Sequence, residues 1–143
     1  MIRLLALDMD GTCLNGRSRM TEETIRTIRK AADAGIIIVP TSGRPLTCLP
    51  YQMTQEKGLY RYTITSNGAQ VVDLEEKKTL FRMLMKRERV VQFLRECEEL
   101  NVVRMTHIQH RYVMEGPLME VAGRIVYGRD VDGIRRVNDM EAF

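Results

Sequence analysis

Apolar residues in the first half of the chain fall in short runs, separated by stretches with helical spacing. Three of these runs end abruptly in polar residues and predict buried strands over residues 3–8, 36–39 and 62–65. Between the first two runs, Ile25 and Ile28 share one face of a helix that starts after Thr21, a preferred N-cap residue. This half of the chain therefore alternates strands with helices.

A second helical segment is predicted between the second and third strands. It starts at Pro45, bends at Pro50 and ends near Gly58. The resulting order of strand, helix, strand, helix and strand predicts an α/β fold with a doubly wound, Rossmann-like parallel sheet.

The pattern changes after Gly68. Two strands around a polar turn are predicted at 70–73 and 79–83, an amphipathic helix at 86–100, and paired strands at 102–109 and 111–115. Residues 121–127 fit either a helix or a strand, and residues 130–143 show no clear period. We therefore divide the chain into a first part over residues 1–83 and a second α/β part over residues 84–143.

Polar clusters follow each of the first three predicted strands, at residues 8–12, 41–44 and 66–68. Ligands of open parallel sheets bind at the carboxyl ends of the strands, where such clusters meet. Asp8 and Asp10, two residues apart, can face one pocket. One carboxylate can attack phosphorus, the other can transfer protons, and both can help to bind Mg²⁺. Gly11 allows the main chain to approach a phosphoryl group closely.

These segments resemble motifs of the haloacid dehalogenase superfamily. The stretch from Leu4 to Thr12 is similar to its DxDGT motif, Thr41 to Pro45 to its TGRP motif, and Ile64 to Ala69 to the NG segment of its Cof-like sugar-phosphatase branch. In that branch a large α/β cap is inserted into the core. The resemblance implies that residues 1–83 are the first part of the core and residues 84–143 the first part of the cap.

The resemblance also implies roles for individual residues. Asp8 would be the nucleophile and a Mg²⁺ ligand. Asp10 would be the general acid and base, with its carbonyl also on the metal. A further group would surround the phosphate or the substrate: Gly11, Thr12, Ser42, Gly43, Arg44 and Asn67. Thr41 competes with Ser42 as the hydroxyl that binds the phosphoryl group. Arg44 and Asn67 could equally fix their own loops.

The sequence also departs from the family pattern. Cys13 stands where the family usually has leucine. The family's Lys motif and second acidic motif would fall past Phe143, so we expect this chain alone to be at least about 10²-fold less active than a full-length relative. The leading interpretation is a Mg²⁺-dependent phosphatase of small phosphorylated metabolites. The alternatives are a phosphomutase fragment and a non-catalytic domain for Mg²⁺ or phosphate binding or for association.

Composition narrows the list of partners. A net charge of +3 is too small to indicate a nucleic-acid or membrane surface, and no apolar run approaches the ~20 residues of a membrane span. The three cysteines form no CxxC pair, which indicates a reducing compartment, the cytoplasm. Because the last core strand would lack a neighbour, we also expect self-association of the chain.

Overall fold

A computed structural model describes residues 2–50, 58–100, 102–116, 118–127 and 133–142. The chain forms two compact units. The first comprises Met1–Arg44 and Leu49–Arg82, and the second comprises Pro45–Cys48 and Met83–Phe143. Within the described ranges, no helix is both long and apolar enough to cross a membrane.

The first unit is built on a five-stranded mixed sheet. Its strands lie side by side in chain order: β1 (Leu4–Asp8), β2 (Ile37–Thr41), β3 (Tyr62–Thr65), β4 (Gln70–Asp73) and β5 (Lys78–Arg82). The first three strands are parallel, and β4 and β5 add an antiparallel hairpin beside β3. The predicted α/β fold with a parallel core is therefore confirmed.

Helix α1 (Glu22–Asp33) connects β1 and β2. The Thr21 hydroxyl accepts a hydrogen bond from the main-chain nitrogen of Thr24 at 3.2 Å, so Thr21 is the N-cap that the sequence predicts. Ile28 is buried, and Gly35 follows the helix with a φ of +83°. Such a left-handed residue lets the chain reverse into β2.

The predicted helical segment after Pro45 is described only at its start. Leu46–Cys48 forms one short 3₁₀ turn, and residues 51–57 lie outside the described residues.

The edges of the five-stranded sheet differ from the expectation. We expected the last parallel strand, β3, to lack a neighbour, but β4 pairs with it over four residues. The turn of the hairpin is held by Asp73, whose buried carboxylate accepts hydrogen bonds from the main chain of Glu75 and Glu76 and from Arg61. Among the described strands, β1 is the parallel strand at an edge, and Leu4 and Leu5 there are 53% and 37% exposed.

Self-association therefore remains a prediction, now directed at β1. An edge strand with exposed leucines can pair with another chain, and a charge on such a strand opposes pairing. Sedimentation velocity at micromolar concentration should detect dimers or larger species that Leu5→Lys weakens. Leu80→Lys, on the opposite edge strand β5, tests whether association uses that edge instead. A single monomeric species with a cooperative melt would contradict the prediction.

The second unit contains a three-stranded sheet, in the order β6 (Met105–Ile108), β7 (Arg111–Glu115) and β8 (Ile134–Val137). A tight turn with positive φ at Gln109 and His110 joins β6 to β7. Helix α2 (Arg87–Glu96) and the 3₁₀ turn Glu98–Leu100 precede the sheet. Helix α3 (Met119–Tyr127) connects β7 to β8, which are parallel. The ambiguous segment 121–127 is thus helical, and the sequence analysis missed β8.

Gly133 occupies a tightly packed position in this unit. Its carbonyl accepts a hydrogen bond from the Tyr112 main-chain nitrogen at 2.7 Å. A Cβ at position 133 would lie 2.8 Å from the Thr47 carbonyl carbon and closer still to the Cys48 sulfur. Main-chain atoms cannot yield as a flexible side chain does, so the position has room for glycine alone.

We therefore expect Gly133→Ala to destabilise the second unit by about 2–3 kcal/mol through overpacking. Gly123→Ala is the matched control, because its Cβ would meet only side-chain ends of Ile134 and Met114. A helical alanine gains about 1 kcal/mol over glycine, which offsets that contact. Hydrogen exchange of the β7 amides in denaturant measures both variants, and equal effects would contradict the expectation.

Candidate active site

The chain turns sharply after β1, and this turn carries both aspartates. Asp10 has φ −76° and ψ 120°, and Gly11 has φ 77° and ψ −2°, which are the angles of a type II turn. The third position of that turn requires positive φ, so glycine is needed there for its conformation. No atom lies within 4 Å of a Cβ built at Gly11. Met9 is completely buried and fixes the base of the loop.

Asp8 is the last residue of β1, and its side chain is exposed. The Thr12 hydroxyl donates a hydrogen bond to its Oδ2 at 3.2 Å. One carboxylate of the pair is thus held in place on one side and open to solvent. Nearby, burial and then the negative charge of Asp8 raise the pKa of the Cys13 thiol, so Cys13 is less acidic than an ordinary thiol.

Asp10, in contrast, is bound by two residues of the loop after β2. Arg44 donates from Nη2 to Oδ1 at 2.5 Å and from Nε to both carboxylate oxygens at 3.1 Å. The Ser42 hydroxyl donates to Oδ2 at 3.2 Å. Arg44 and Ser42 are 2% and 5% exposed, while the Asp10 side chain is 49% exposed. A half-exposed carboxylate is therefore anchored to a buried cation.

The loops after β2 and β3 are joined to each other. The main-chain nitrogen of Ser66 donates to the Arg44 carbonyl at 3.0 Å, and that of Asn67 to the Ser42 carbonyl at 3.3 Å. A Cβ at Gly43 would lie 2.7 Å from Oδ1 of Asn67. An alanine at position 43 would therefore have to displace the end of the Asn67 side chain, which lies over the glycine.

The structure thus brings the sequence-predicted residues to one edge of the sheet, on the loops after β1, β2 and β3. Of the two candidate hydroxyls, that of Ser42 contacts Asp10, while Thr41 ends β2 opposite Asp8. The sequence analysis missed Ser18, whose hydroxyl accepts a hydrogen bond from Nη2 of Arg44 at 3.1 Å. Nothing in the local pattern around Ser18, in a turn far from Arg44 in sequence, indicates that contact.

The oxygen atoms at this edge of the sheet suit a hard divalent cation that takes only some of its ligands from the protein. Mg²⁺ commonly takes one or two carboxylates and completes its octahedron with water and phosphate oxygens. The open Asp8 carboxylate and the Asp10 carbonyl are oxygen donors of that kind. Within the described parts of the chain, no three histidine, cysteine, aspartate or glutamate side chains group as a complete metal site.

Comparison with known proteins supports the family resemblance that the motifs carry. The sequence profile of the haloacid dehalogenase-like hydrolases matches residues 5–133. The chain is 38% identical over 84 residues to the 5-amino-6-(5-phospho-D-ribitylamino)uracil phosphatase of Bacillus subtilis, covering 55% of this chain and 33% of that protein. It is 36% identical over 75 residues to the HMP-PP phosphatase of Yersinia pestis, covering 52% of this chain and 27% of that one. The matched segments thus span only 33% and 27% of the lengths of these relatives.

Solved structures share the fold. A haloacid dehalogenase-like hydrolase from Bacillus subtilis superposes with a TM-score of 0.82 at 20% identity, over 99% of this chain and 56% of that one. A sugar phosphatase of subclass IIB superposes with a TM-score of 0.78 at 23% identity, over 94% and 52%. The resemblance in the motifs is therefore confirmed along most of the sequence, and the chain belongs to the haloacid dehalogenase-like hydrolase family.

Proposed function

We propose that this chain carries the nucleophile-bearing part of a Mg²⁺-dependent phosphatase that acts on small phosphorylated metabolites. The observation that supports this most directly is the difference between two neighbouring carboxylates. Asp8 is exposed at the carboxyl end of β1, while Asp10 is anchored by Arg44 and Ser42. An open carboxylate can attack, and a fixed one can transfer protons at a defined place.

In the first step, an oxygen of Asp8 attacks phosphorus in line with the leaving oxygen. The new oxygen–phosphorus bond forms as the bond to the leaving group breaks, and Asp10 donates a proton to the leaving oxygen. The Ser42 hydroxyl donates a hydrogen bond to a phosphoryl oxygen. The type II turn at Gly11 directs main-chain nitrogens toward the same anion.

In the second step, water attacks the phosphorus of the aspartyl-phosphate. Asp10 accepts a proton from that water, and the bond between phosphorus and the Asp8 oxygen breaks to release inorganic phosphate. Mg²⁺, held by the Asp8 carboxylate and the Asp10 carbonyl, would neutralise charge on the phosphoryl oxygens.

Small phosphorylated substrates are supported by the relatives, which include phosphatases of a phosphoribitylamino-uracil and of HMP-PP. A cytoplasmic reaction is supported by the cysteines, because Cys13, Cys48 and Cys97 are not joined in disulfides.

Trapping the covalent intermediate tests the proposal. The 143-residue chain is incubated with p-nitrophenyl phosphate and Mg²⁺, quenched in acid and reduced with borohydride, which converts an aspartyl-phosphate to homoserine. Mass spectrometry should locate homoserine at position 8 in a Mg²⁺-dependent manner. Adduct at Asp10, or hydrolysis without any adduct, would contradict the assignment. Absence of both adduct and Asp8-dependent hydrolysis would favour the non-catalytic alternative.

A further inference from the structure

We infer that Arg44 is a positioning residue that acts through Asp10 and does not contact the phosphoryl group. This inference rests on the proposed function, in which Asp10 is the proton-transfer group. The sequence left two roles open for Arg44, contact with the substrate and fixing of its own loop. The inference excludes the first and gives Arg44 a third role, which is to hold Asp10 on the loop after β1.

The hydrogen bonds of the guanidinium group carry this assignment. Nε has one N–H and Nη2 has two. The Nε hydrogen is shared between the two oxygens of Asp10, and Nη2 donates to Asp10 and to Ser18. These three N–H groups of Nε and Nη2 therefore all donate hydrogen bonds within the protein. At 3% exposure, the side chain offers almost no surface to a ligand.

The hydrogen bonds of the Ser42 hydroxyl show why a second residue is needed to hold the Asp10 carboxylate. A serine hydroxyl has one hydrogen to donate. In this structure that hydrogen goes to Asp10, while the oxygen accepts from the Arg44 main-chain nitrogen at 3.1 Å. When Ser42 donates to a phosphoryl oxygen, it must release Asp10. The forked contact from Arg44 then keeps the carboxylate in place throughout the reaction.

The planar guanidinium group of Arg44 also restricts the orientation of the Asp10 carboxylate more than a single point charge does. Two nitrogens bound to one carboxylate fix its plane as well as its distance. We therefore expect Arg44→Lys to keep the charge and lose the orientation. Arg44→Met removes both and retains much of the apolar stem.

Leaving-group dependence gives the first test. The kcat/KM of the full chain is measured with p-nitrophenyl phosphate and with phenyl phosphate, two substrates of similar shape. Phenolate is the more basic leaving group and depends more on a proton from Asp10. We expect Arg44→Met to lower kcat/KM for phenyl phosphate by about 10²-fold. The decrease in kcat/KM for p-nitrophenyl phosphate should be about ten times smaller. Arg44→Lys should fall in between.

A double-mutant cycle gives the second test. In an Asp10→Asn background, Arg44→Met should cause no further selective loss on phenyl phosphate, because a residue that acts through Asp10 has no effect once that carboxylate is gone. The inhibition constant of inorganic phosphate should change by less than about threefold on Arg44→Met, as expected for a residue that makes no phosphate contact.

Arg61→Met is the matched control. It breaks another arginine–aspartate pair of the same unit, the 3.0 Å contact between Arg61 and Asp73, which lies before β3 and away from the site. It should leave both kcat/KM values unchanged. If the Arg44→Met variant does not fold, the same measurements are made on the Arg44→Lys variant.

Three results would overturn the inference: weaker phosphate inhibition with an unchanged substrate ratio, equal losses on both substrates, or no kinetic effect. Each of these results can be read only if the unmodified chain hydrolyses the two substrates at a measurable rate. If the unmodified chain shows no Asp8-dependent turnover, it is the proposed function that fails.

Discussion

Asp8→Asn should lower the hydrolysis of p-nitrophenyl phosphate by this chain by about 10³-fold or more. An amide of the same shape cannot form the acyl phosphate, and loss of a nucleophile removes the covalent route entirely. Because Asp8 is exposed and bonded only through Thr12 among its described side-chain contacts, the variant should fold as the unmodified chain does. Initial rates with saturating Mg²⁺ measure the change.

Asp33→Asn is a suitable control for that experiment. Asp33 is an exposed aspartate at the end of α1, so the substitution changes the net charge equally. Its rate should equal that of the unmodified chain. Asp8→Asn with more than a tenth of the original rate would show that another group attacks phosphorus.

Asp10→Ala should destabilise the first unit by about 2–3 kcal/mol, because it leaves a buried guanidinium without its carboxylate. The value lies below that for a fully buried pair because half of the Asp10 side chain is exposed and water can replace part of it. Hydrogen exchange of the β1 and β2 amides against denaturant would report on this unit alone.

Asp8→Ala is the comparison for Asp10→Ala. It removes a carboxylate two residues away that is exposed and has only a 3.2 Å contact with Thr12, so its cost should stay within about 0.5 kcal/mol. Similar costs for the two variants would show that the contact between Arg44 and Asp10 contributes little to stability.

The parts of the fold that the sequence predicted are the locally encoded ones. The apolar runs before Asp8 and Thr41 form strands where they are predicted, and Thr21 is the N-cap. The predicted burial of the first strand was wrong, because β1 lies at the sheet edge with four of its five residues exposed. The polar clusters meet because parallel strands share a carboxyl edge, which follows from the order of elements alone.

Other features depend on distant partners and could not be inferred in the same way. Ser18 contacts Arg44 across 26 residues, and the short strand β8 is specified by pairing with β7 more than by its own Ile-Arg-Arg-Val pattern. The roles left open for Arg44 illustrate the same limit. A motif indicates which residues surround a ligand, whereas hydrogen-bond geometry indicates which of them reach it.

The ties between Asp10 and the loop after β2 also have a consequence for the order in which the protein takes shape during synthesis. The turn with both aspartates leaves the ribosome first, but its anchors, Ser42 and Arg44, are made more than 30 residues later. Closing a loop of that length costs entropy before any contact rewards it. We therefore expect Asp10 to remain without its anchors until the second strand has emerged and docked beside the first.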